Sequence, residues 1–233
     1  MTTSYAFLGQ FGDAISFIFH SRENQRGSPV GGSHNLALIW EHLKLCAAAM
    51  GLALAIALPV GLILGHTGKG SFLAISTSNV GRAVPSVALI ALFIAFFPRS
   101  PEFLNVTLAL ALLAIPPILT NAYVGVQQTD RDAVDAARGM GMSGGQIIRE
   151  VELPLALPAI MAGLRIAVTT TVGLTALAFL AGAGGLGEAI FADTQFRSNV
   201  VVAGGLCVLL AVVLDLLVLA LQKVLTPWTR AAT

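Results

Sequence analysis

The chain has 233 residues, of which 56% are hydrophobic and 11% are charged, and its net charge is +1. No run of five or more basic residues occurs, so nothing in the sequence indicates a nucleic-acid-binding surface. The two cysteines, Cys46 and Cys207, lie in apolar stretches and are interpreted as buried apolar side chains rather than as a disulfide or metal ligands.

Residues 1–35 precede the long apolar runs and form a segment of their own. Tyr5–Phe19 is apolar but short, and Asp13 interrupts it, so we expect an interfacial helix on the extracytoplasmic side, with a weak sixth span as the alternative. The start of the chain lacks the basic residues and the cleavage site of a signal peptide. The polar stretch Arg22–His34, with Gly, Ser and Pro, predicts a loop.

Five apolar runs follow, each close to the length that a helix needs to cross a bilayer, about 20 residues for roughly 30 Å of hydrocarbon. The predicted spans are Leu43–Leu64, Val80–Phe97, Leu104–Val126, Pro158–Ala181 and Val200–Val224. A soluble core would hold one or two such helices rather than five. The sequence therefore predicts an all-α, polytopic membrane protein, with a transmembrane domain over residues 36–228 and a tail over residues 229–233.

Two charged residues inside the predicted spans need an explanation. Asp215 lies in the fifth span, about 12 Å along the helix from Lys223 at a rise of about 1.5 Å per residue. A carboxylate facing lipid there costs on the order of 3 kcal/mol, so we expect Asp215 to line a translocation path or to bond to a neighbouring helix or sister subunit. Arg165 lies early in the fourth span and is expected to reach the headgroup region.

Uncharged polar side chains also fall within the spans. Asn121 follows Pro116-Pro117, where prolines free backbone carbonyl groups. The fourth span carries a cluster of threonine hydroxyls. Together with Asp215, the candidates for the path of a transported solute are Asn121, Thr170, Thr171 and Thr175. Hydrogen bonding between helices is the alternative role for these residues.

The most charged stretch of the chain is the loop over residues 127–157, between the third and fourth spans. Eight charged residues of both signs lie between Asp130 and Glu152. Thr129-Asp-Arg-Asp132 has the capping oxygen and the early acids of a helix start. Gly139 and Gly141 are expected to end this short helix.

One face of the predicted short helix carries small side chains. This face consists of Ala133, Ala136, Ala137 and Met140, at positions i, i+3, i+4 and i+7. Arg131 and Asp135 are four residues apart and are expected to pair, which contributes about a few tenths of a kcal/mol. A second helical stretch, Gln146–Glu152, leads to Pro154 and Pro158. Such an element predicts a docking site for a soluble partner, and an incidental surface helix is the alternative.

The distribution of Lys and Arg indicates that the 127–157 loop is cytoplasmic. In that orientation, eight of the 13 basic residues lie on the cytoplasmic side and five lie outside. The bias is modest, but its sign agrees with the positive-inside rule.

Other motifs do not predict chemistry. Gly182-Ala-Gly-Gly-Leu-Gly187 satisfies the dinucleotide fingerprint, but a predicted membrane helix precedes it where a strand is required, so we interpret it as a tight external turn. Gly68-Lys69 lacks the other residues of a phosphate-binding loop. The four histidines have no metal-ligand spacing, and no catalytic constellation is found. We therefore expect no catalytic residues, no metal and no cofactor.

The 127–157 loop resembles the EAA motif of the inner-membrane permeases of binding-protein-dependent ABC importers. That motif is Glu-Ala-Ala, three residues, Gly, nine residues, Ile, one residue and Leu-Pro. The matching positions of this chain are Asp135-Ala136-Ala137, Gly141, Val151 and Leu153-Pro154. Asp replaces Glu, and Val replaces Ile.

The resemblance implies the type I ABC importer permease fold, with about five transmembrane helices and a cytoplasmic coupling helix, in a bacterial inner membrane. It implies that a separate ATPase contacts Asp135, Ala136, Ala137 and Gly141, and that Leu153 and Pro154 set the angle between the loop and the fourth span. The implied partners are ABC ATPase subunits, a second permease subunit, an extracytoplasmic solute-binding protein and a small-molecule solute. The chain itself would be no enzyme.

Longer stretches are similar to the osmoprotectant branch of that family, which carries glycine betaine, choline, carnitine or proline betaine. These stretches are Ala136–Met142, Val151–Pro158, Ile160–Arg165, Val84–Leu89 and Gly182–Gly187. Two alternatives are an ABC permease for methionine or another amino acid, and an ion-coupled secondary transporter. Because the few Tyr and Trp residues do not cluster into a cage for a quaternary ammonium group, specificity is expected mainly in the binding protein.

Overall fold

A computed structural model describes residues 12–23, 27, 29–69, 72, 76, 84–191 and 197–228. Two short strands precede the long helices and form one antiparallel pair. The strands are β1 (Ser21–Glu23) and β2 (Pro29–Gly31). The helices are α1 (His34–Thr67), α2 (Ser86–Phe96), α3 (Glu102–Gln127), α4 (Arg131–Gly139), α5 (Gly144–Ile147), α6 (Leu153–Thr175), α7 (Leu186–Phe191) and α8 (Arg197–Leu225). A π-helical turn (Ile148–Glu152) precedes α6, and a 3-10 helix (Ala176–Ala181) follows it.

Within the described residues, four helices are long and apolar enough to cross a membrane, namely His34–Thr67, Glu102–Gln127, Gly144–Ala181 and Asn199–Leu225. They confirm four of the five predicted spans, with earlier starts for the first and the fourth. The remaining predicted span, Val80–Phe97, contains the shorter apolar helix α2. Residues 80–83 lie outside the described residues. Prolines inside α1, α3 and α6 do not end these helices, which is usual where neighbouring helices satisfy the freed backbone groups.

The N-terminal segment differs from the prediction, because the stretch predicted as a loop contains the β1–β2 hairpin, in which Arg22 pairs with Val30. Burial explains the hairpin: Phe17 and Val30 are almost fully buried in one apolar cluster. Gly31 has a φ of +86°, and a Cβ there would approach the carbonyl oxygen of His20 to 2.7 Å, so only glycine suits this bend. Residues 12–19 are helical. The predicted interfacial helix also includes residues 5–11, which lie outside the described residues.

The chain divides into two compact units. The first contains residues 1–48, 86–110 and 171–212. Its core brings together Phe17, Val30, Leu38, Leu186, Ala189 and Ala203. In this unit Gly187 lies so close to Ala176 that an added Cβ would overlap the Ala176 carbonyl oxygen.

The second unit contains residues 49–85, 111–170 and 213–233. Its core consists of Leu62, Ala122, Val126, Ala156 and Ile160. Glycines allow the helices of this unit to approach closely: a Cβ on Gly61 would lie 2.7 Å from the Ala122 Cβ, and one on Gly163 would lie 2.6 Å from the Pro117 carbonyl oxygen. Small residues at helix contacts are how membrane helices gain packing energy without a hydrophobic driving force.

Candidate functional site

The segment between α3 and α6 is a folded polar element with a capped short helix. The Asp130 side chain accepts a hydrogen bond from the Asp132 backbone N–H at 2.9 Å and caps α4. The helix ends at Gly139, and Gly141 follows with a φ of +83°. The N–H of Met142 then donates to the Ala137 carbonyl at 3.2 Å, which closes the turn. The predicted start and end of this helix are thus confirmed.

The small-residue stripe predicted as a docking face is exposed only in part. Val134 and Ala137 are buried and pack on Ile147 of α5, whereas Ala136 and Met140 of the predicted stripe are exposed. The larger apolar area of Val134 explains why it faces Ile147, because burying a valine removes more apolar surface from water than burying an alanine. The exposed face of α4 therefore presents Asp135, Ala136 and Met140.

The predicted pair between Arg131 and Asp135 is wrong. Asp135 contacts Arg138 instead, with 3.5 Å between Oδ1 and Nη1. The Arg131 guanidinium donates to the Gln127 side chain at 3.3 Å, one turn back toward α3. Both contacts are exposed, and exposed pairs of this kind contribute little to stability.

Leu153 and Pro154 lie at the start of α6, directly after the π-helical turn. The N–H of Leu153 donates to the carbonyl of Ile148, five residues earlier. Pro154 has no N–H to donate, and it lies just after the π-helical turn, where the hydrogen-bond pattern of the continuous helix changes. Leu153 packs against the core that contains Ala156 and Ile160. The orientation of the short helices is therefore tied to a packed helix junction.

A buried contact that the sequence analysis missed anchors this junction to the end of α1. The Nδ1 atom of His66 lies 2.8 Å from Oε2 of Glu152, and Glu152 is only 3% exposed. The Gln127 side chain also donates to the Gly65 carbonyl. The available signal was positional: His66 ends the first span and Glu152 precedes the fourth, so both lie on one side of the membrane in the predicted topology.

The candidate path residues have varied surroundings. Asp215 accepts two hydrogen bonds from Arg165, both of 2.7 Å, between α8 and α6. We expected Arg165 to reach the headgroup region, but it binds Asp215 instead. For Asp215, this contact agrees with the alternative that the residue bonds to a neighbouring helix. The sequence contained a signal for this pair, because Arg165 and Asp215 are charges of opposite sign that each lie in an apolar span.

The uncharged candidates have different hydrogen-bond partners. Asn121 donates to the Pro117 carbonyl at 2.8 Å within α3. Thr175 is fully buried, donates to the Thr171 carbonyl at 2.7 Å and lies 3.2 Å from the Cys46 sulfur on α1. Thr170 is exposed. Of these contacts, the one between Thr175 and Cys46 joins two helices, α6 and α1, and the bonds to Pro117 and Thr171 lie within one helix.

The Gly182–Gly187 stretch forms a turn, as predicted. Gly182 has a φ of +81° and ends the 3-10 helix, and Gly185 has a φ of +115° before α7 begins at Leu186. Because a helix rather than a strand precedes it, the structural context of a dinucleotide-binding motif is missing here.

Comparisons with known proteins agree with this architecture. Residues 57–231 match the family model described as "Binding-protein-dependent transport system inner membrane component". The carnitine transport permease protein OpuCB of Listeria monocytogenes is 35% identical over 83% of this chain and 89% of its own length. The choline transport system permease protein OpuBB of Bacillus subtilis is 32% identical over 84% of this chain and 90% of its own length.

Among solved structures, an inward-facing MetNI methionine ABC transporter is 24% identical and covers 82% of this chain and 96% of its own, with a TM-score of 0.73. This likeness shows the fold, the type I importer permease fold. The chain is a transport subunit of the inner membrane rather than an enzyme. It belongs to the family of inner-membrane components of binding-protein-dependent transport systems.

Proposed function

We propose that this chain is the permease subunit of an ATP-driven importer of osmoprotectants such as carnitine, choline, glycine betaine or proline betaine. The observation that carries the proposal is the identity of 32–35%, over more than four fifths of the chain, to permeases named for carnitine and choline. The likeness to a methionine transporter concerns the fold, at 24% identity. The more similar carnitine and choline permeases therefore favour an osmoprotectant as the solute over an amino acid.

We infer that α4 and the turn after it couple the permease to its ATPase. The exposed Asp135 and Ala136 are placed to contact the ATPase, and Gly141 forms a turn that a larger side chain would strain. Ala137 contributes indirectly, because its small buried side chain lets α4 lie against Ile147. Leu153 and Pro154 transmit the movement, since they begin the helix that crosses the membrane.

We further propose two permease subunits, two ATPase subunits and one extracytoplasmic solute-binding protein in the complete importer. The long helix α8 supports the need for further neighbours, because it exposes large apolar side chains along most of its length. These include Val201, Val208, Leu209, Leu216, Leu217 and Val224. In the membrane, lipid and the second permease subunit would cover them.

Of the five candidate path residues, Thr170 is the one that we propose to face the solute, because its side chain is exposed. Asn121, Thr171, Thr175 and Asp215 take part in hydrogen bonds within or between helices. Their contacts favour a role in positioning the helices that border the path.

The test is uptake into vesicles that contain the permease with its ATPase, with and without the solute-binding protein. We expect uptake of labelled carnitine or choline to require ATP, the ATPase and the binding protein. We expect no uptake of labelled methionine. Full-rate uptake by the permease alone, driven by an ion gradient, would instead establish the secondary-transporter alternative.

A further inference from the structure

The first compact unit contains a cavity of about 250 Å³ that the coupling mechanism does not use. Three charged side chains line it: Glu41 and Lys44 of α1, and Glu102, the first residue of α3. Phe103 and the glycines Gly182 and Gly184 complete the lining. The cavity therefore combines two carboxylates, one ammonium group and an aromatic ring.

The Gly-rich turn gives this cavity its shape. An added Cβ on Gly184 would overlap the Glu41 carboxylate, and one on Gly182 would lie 3.5 Å from Cγ of Glu102. Gly182 also has a φ of +81°, which a residue with a side chain rarely adopts. The absence of side chains at these two positions thus leaves room beside both carboxylates.

The charges of the cavity are available to a ligand. Among the described residues, no ion pair includes Glu41, Glu102 or Lys44. Lys44 and Glu102 are exposed, and Glu41 is half-buried. A concave site with unpaired charges of both signs is complementary to a small zwitterion.

We propose that this cavity receives a solute that carries both a quaternary ammonium and a carboxylate group. Glu41, Glu102 and the ring of Phe103 attract the cation, because carboxylates and aromatic faces both favour a quaternary ammonium group. Lys44 pairs with the carboxylate of the solute. The volume suits a solute smaller than the drug-sized ligands that fill pockets of roughly 300–1,000 Å³.

The inference rests on the proposed function, which supplies the solute class. It also rests on the orientation with a cytoplasmic 127–157 loop, because the first residues of α1 and α3 then lie on the extracytoplasmic side. In that orientation the cavity takes over the solute when the binding protein releases it. Contacts at the surface of the cavity are necessarily weak, which permits the solute to leave again toward the membrane path.

The experiment compares two solutes in the same vesicles. Carnitine has a carboxylate and choline has none, so a substitution that leaves the width of the cavity unchanged alters the ratio of their maximal uptake rates, at saturating binding protein, through the carboxylate contact. We expect Lys44→Gln to lower the carnitine-to-choline ratio about two- to fivefold, the range for one partly exposed ion pair. Glu41→Gln and Glu102→Gln should slow both solutes and leave the ratio unchanged.

Controls with the same charge change lie in the same unit but outside the cavity lining: Glu23→Gln and Arg99→Gln, both at exposed residues. Gly184→Ala narrows the cavity without changing its charge and should slow the larger carnitine more than choline. The ratio is measured within one preparation, so it is insensitive to a lower amount of folded protein.

Two results would overturn the proposal. The first is an unchanged ratio in both Lys44→Gln and Gly184→Ala. The second is equal slowing of both solutes in Lys44→Gln together with weaker binding of the solute-binding protein, which would identify this surface as a protein contact. Failure of the proposed function is distinguishable, because the unmodified importer would then take up neither solute with ATP.

Discussion

At the scale of single residues, Gly141 shows how one backbone conformation supports a proposed protein contact. Its φ of +83° closes the turn after α4, and a Cβ there would meet nothing within 4 Å. The intramolecular reason for glycine is therefore the left-handed conformation, which costs other residues roughly 1–2 kcal/mol. Open space around the residue leaves room for another subunit to approach.

Replacing Gly141 by Leu should abolish uptake while the binding protein still captures solute. The side chain would both strain the turn and occupy the surface proposed to dock on the ATPase. Gly141→Asn is the matched control, because Asn tolerates positive φ better than Leu does. Solute uptake and ATPase binding of both variants provide the measurement. Wild-type uptake in Gly141→Leu would refute the coupling role.

The bidentate pair between Arg165 and Asp215 predicts a pattern of single and double substitutions. Asp215→Asn leaves a guanidinium group without its carboxylate between two membrane helices, so we expect less folded protein and a lower Tm in detergent. The double variant Arg165→Gln/Asp215→Asn should recover much of the loss, since both charges are then removed.

Uptake per folded molecule separates the two roles of Asp215. If the pair only joins α6 to α8, the double variant should transport nearly as fast as the unmodified permease. Loss of uptake in a double variant with normal Tm would instead assign Asp215 to the solute path.

At the scale of secondary-structure elements, the π-helical turn and the His66–Glu152 contact join the segment of α4 and α5 to the long helices α6 and α1. The turn connects α5 directly to α6, so Gly144–Ala181 is one continuous apolar helix. The ring of His66 also lies near the start of α5, where a Cβ on Gly144 would be 3.2 Å from its Nε2 atom. We therefore propose that a movement of α4 and α5 would be carried to both α1 and α6.

Glu152→Ala should therefore uncouple ATP hydrolysis from transport. The substitution removes the partner of His66 and leaves a small buried gap, so the number of ATP molecules hydrolysed per solute should rise. Glu150→Ala is the control, because Glu150 lies in the same turn but is exposed. An unchanged ratio of ATP to solute in Glu152→Ala would show that the anchor does not transmit the movement.

At the scale of the whole molecule, the orientation in the membrane is the property that the partners depend on. Ser143, which precedes α5, should be reachable from the cytoplasm, whereas Ser33, which precedes α1, should be reachable from outside. Both serines are exposed. We expect Ser143→Cys and Ser33→Cys, introduced singly with Cys46 and Cys207 replaced, to react with a membrane-impermeant maleimide from opposite sides. Labelling of Ser143→Cys from outside intact cells would reverse the proposed topology.

Much of the candidate site could be predicted from local sequence. Asp130 as a cap, Gly141 after the helix end and the apolar spans are each determined by residues within a few positions of one another. The face on which α4 packs was not predicted, because the contact of Val134 and Ala137 depends on where Ile147 lies. The hairpin near Phe17 was missed for the same reason, since its burial depends on residues such as Leu186 that are distant in sequence.

The sequence by itself determined that the chain is a membrane protein and that its 127–157 loop has the motif spacing of a transport family, because composition, span length and motif spacing are local properties. Only the tertiary structure decided which polar groups meet. It paired Arg165 with Asp215 and His66 with Glu152, and it placed Glu41, Lys44 and Glu102 around one cavity. In an apolar environment an isolated charge must find a partner, and which partner it finds is settled by how the helices pack.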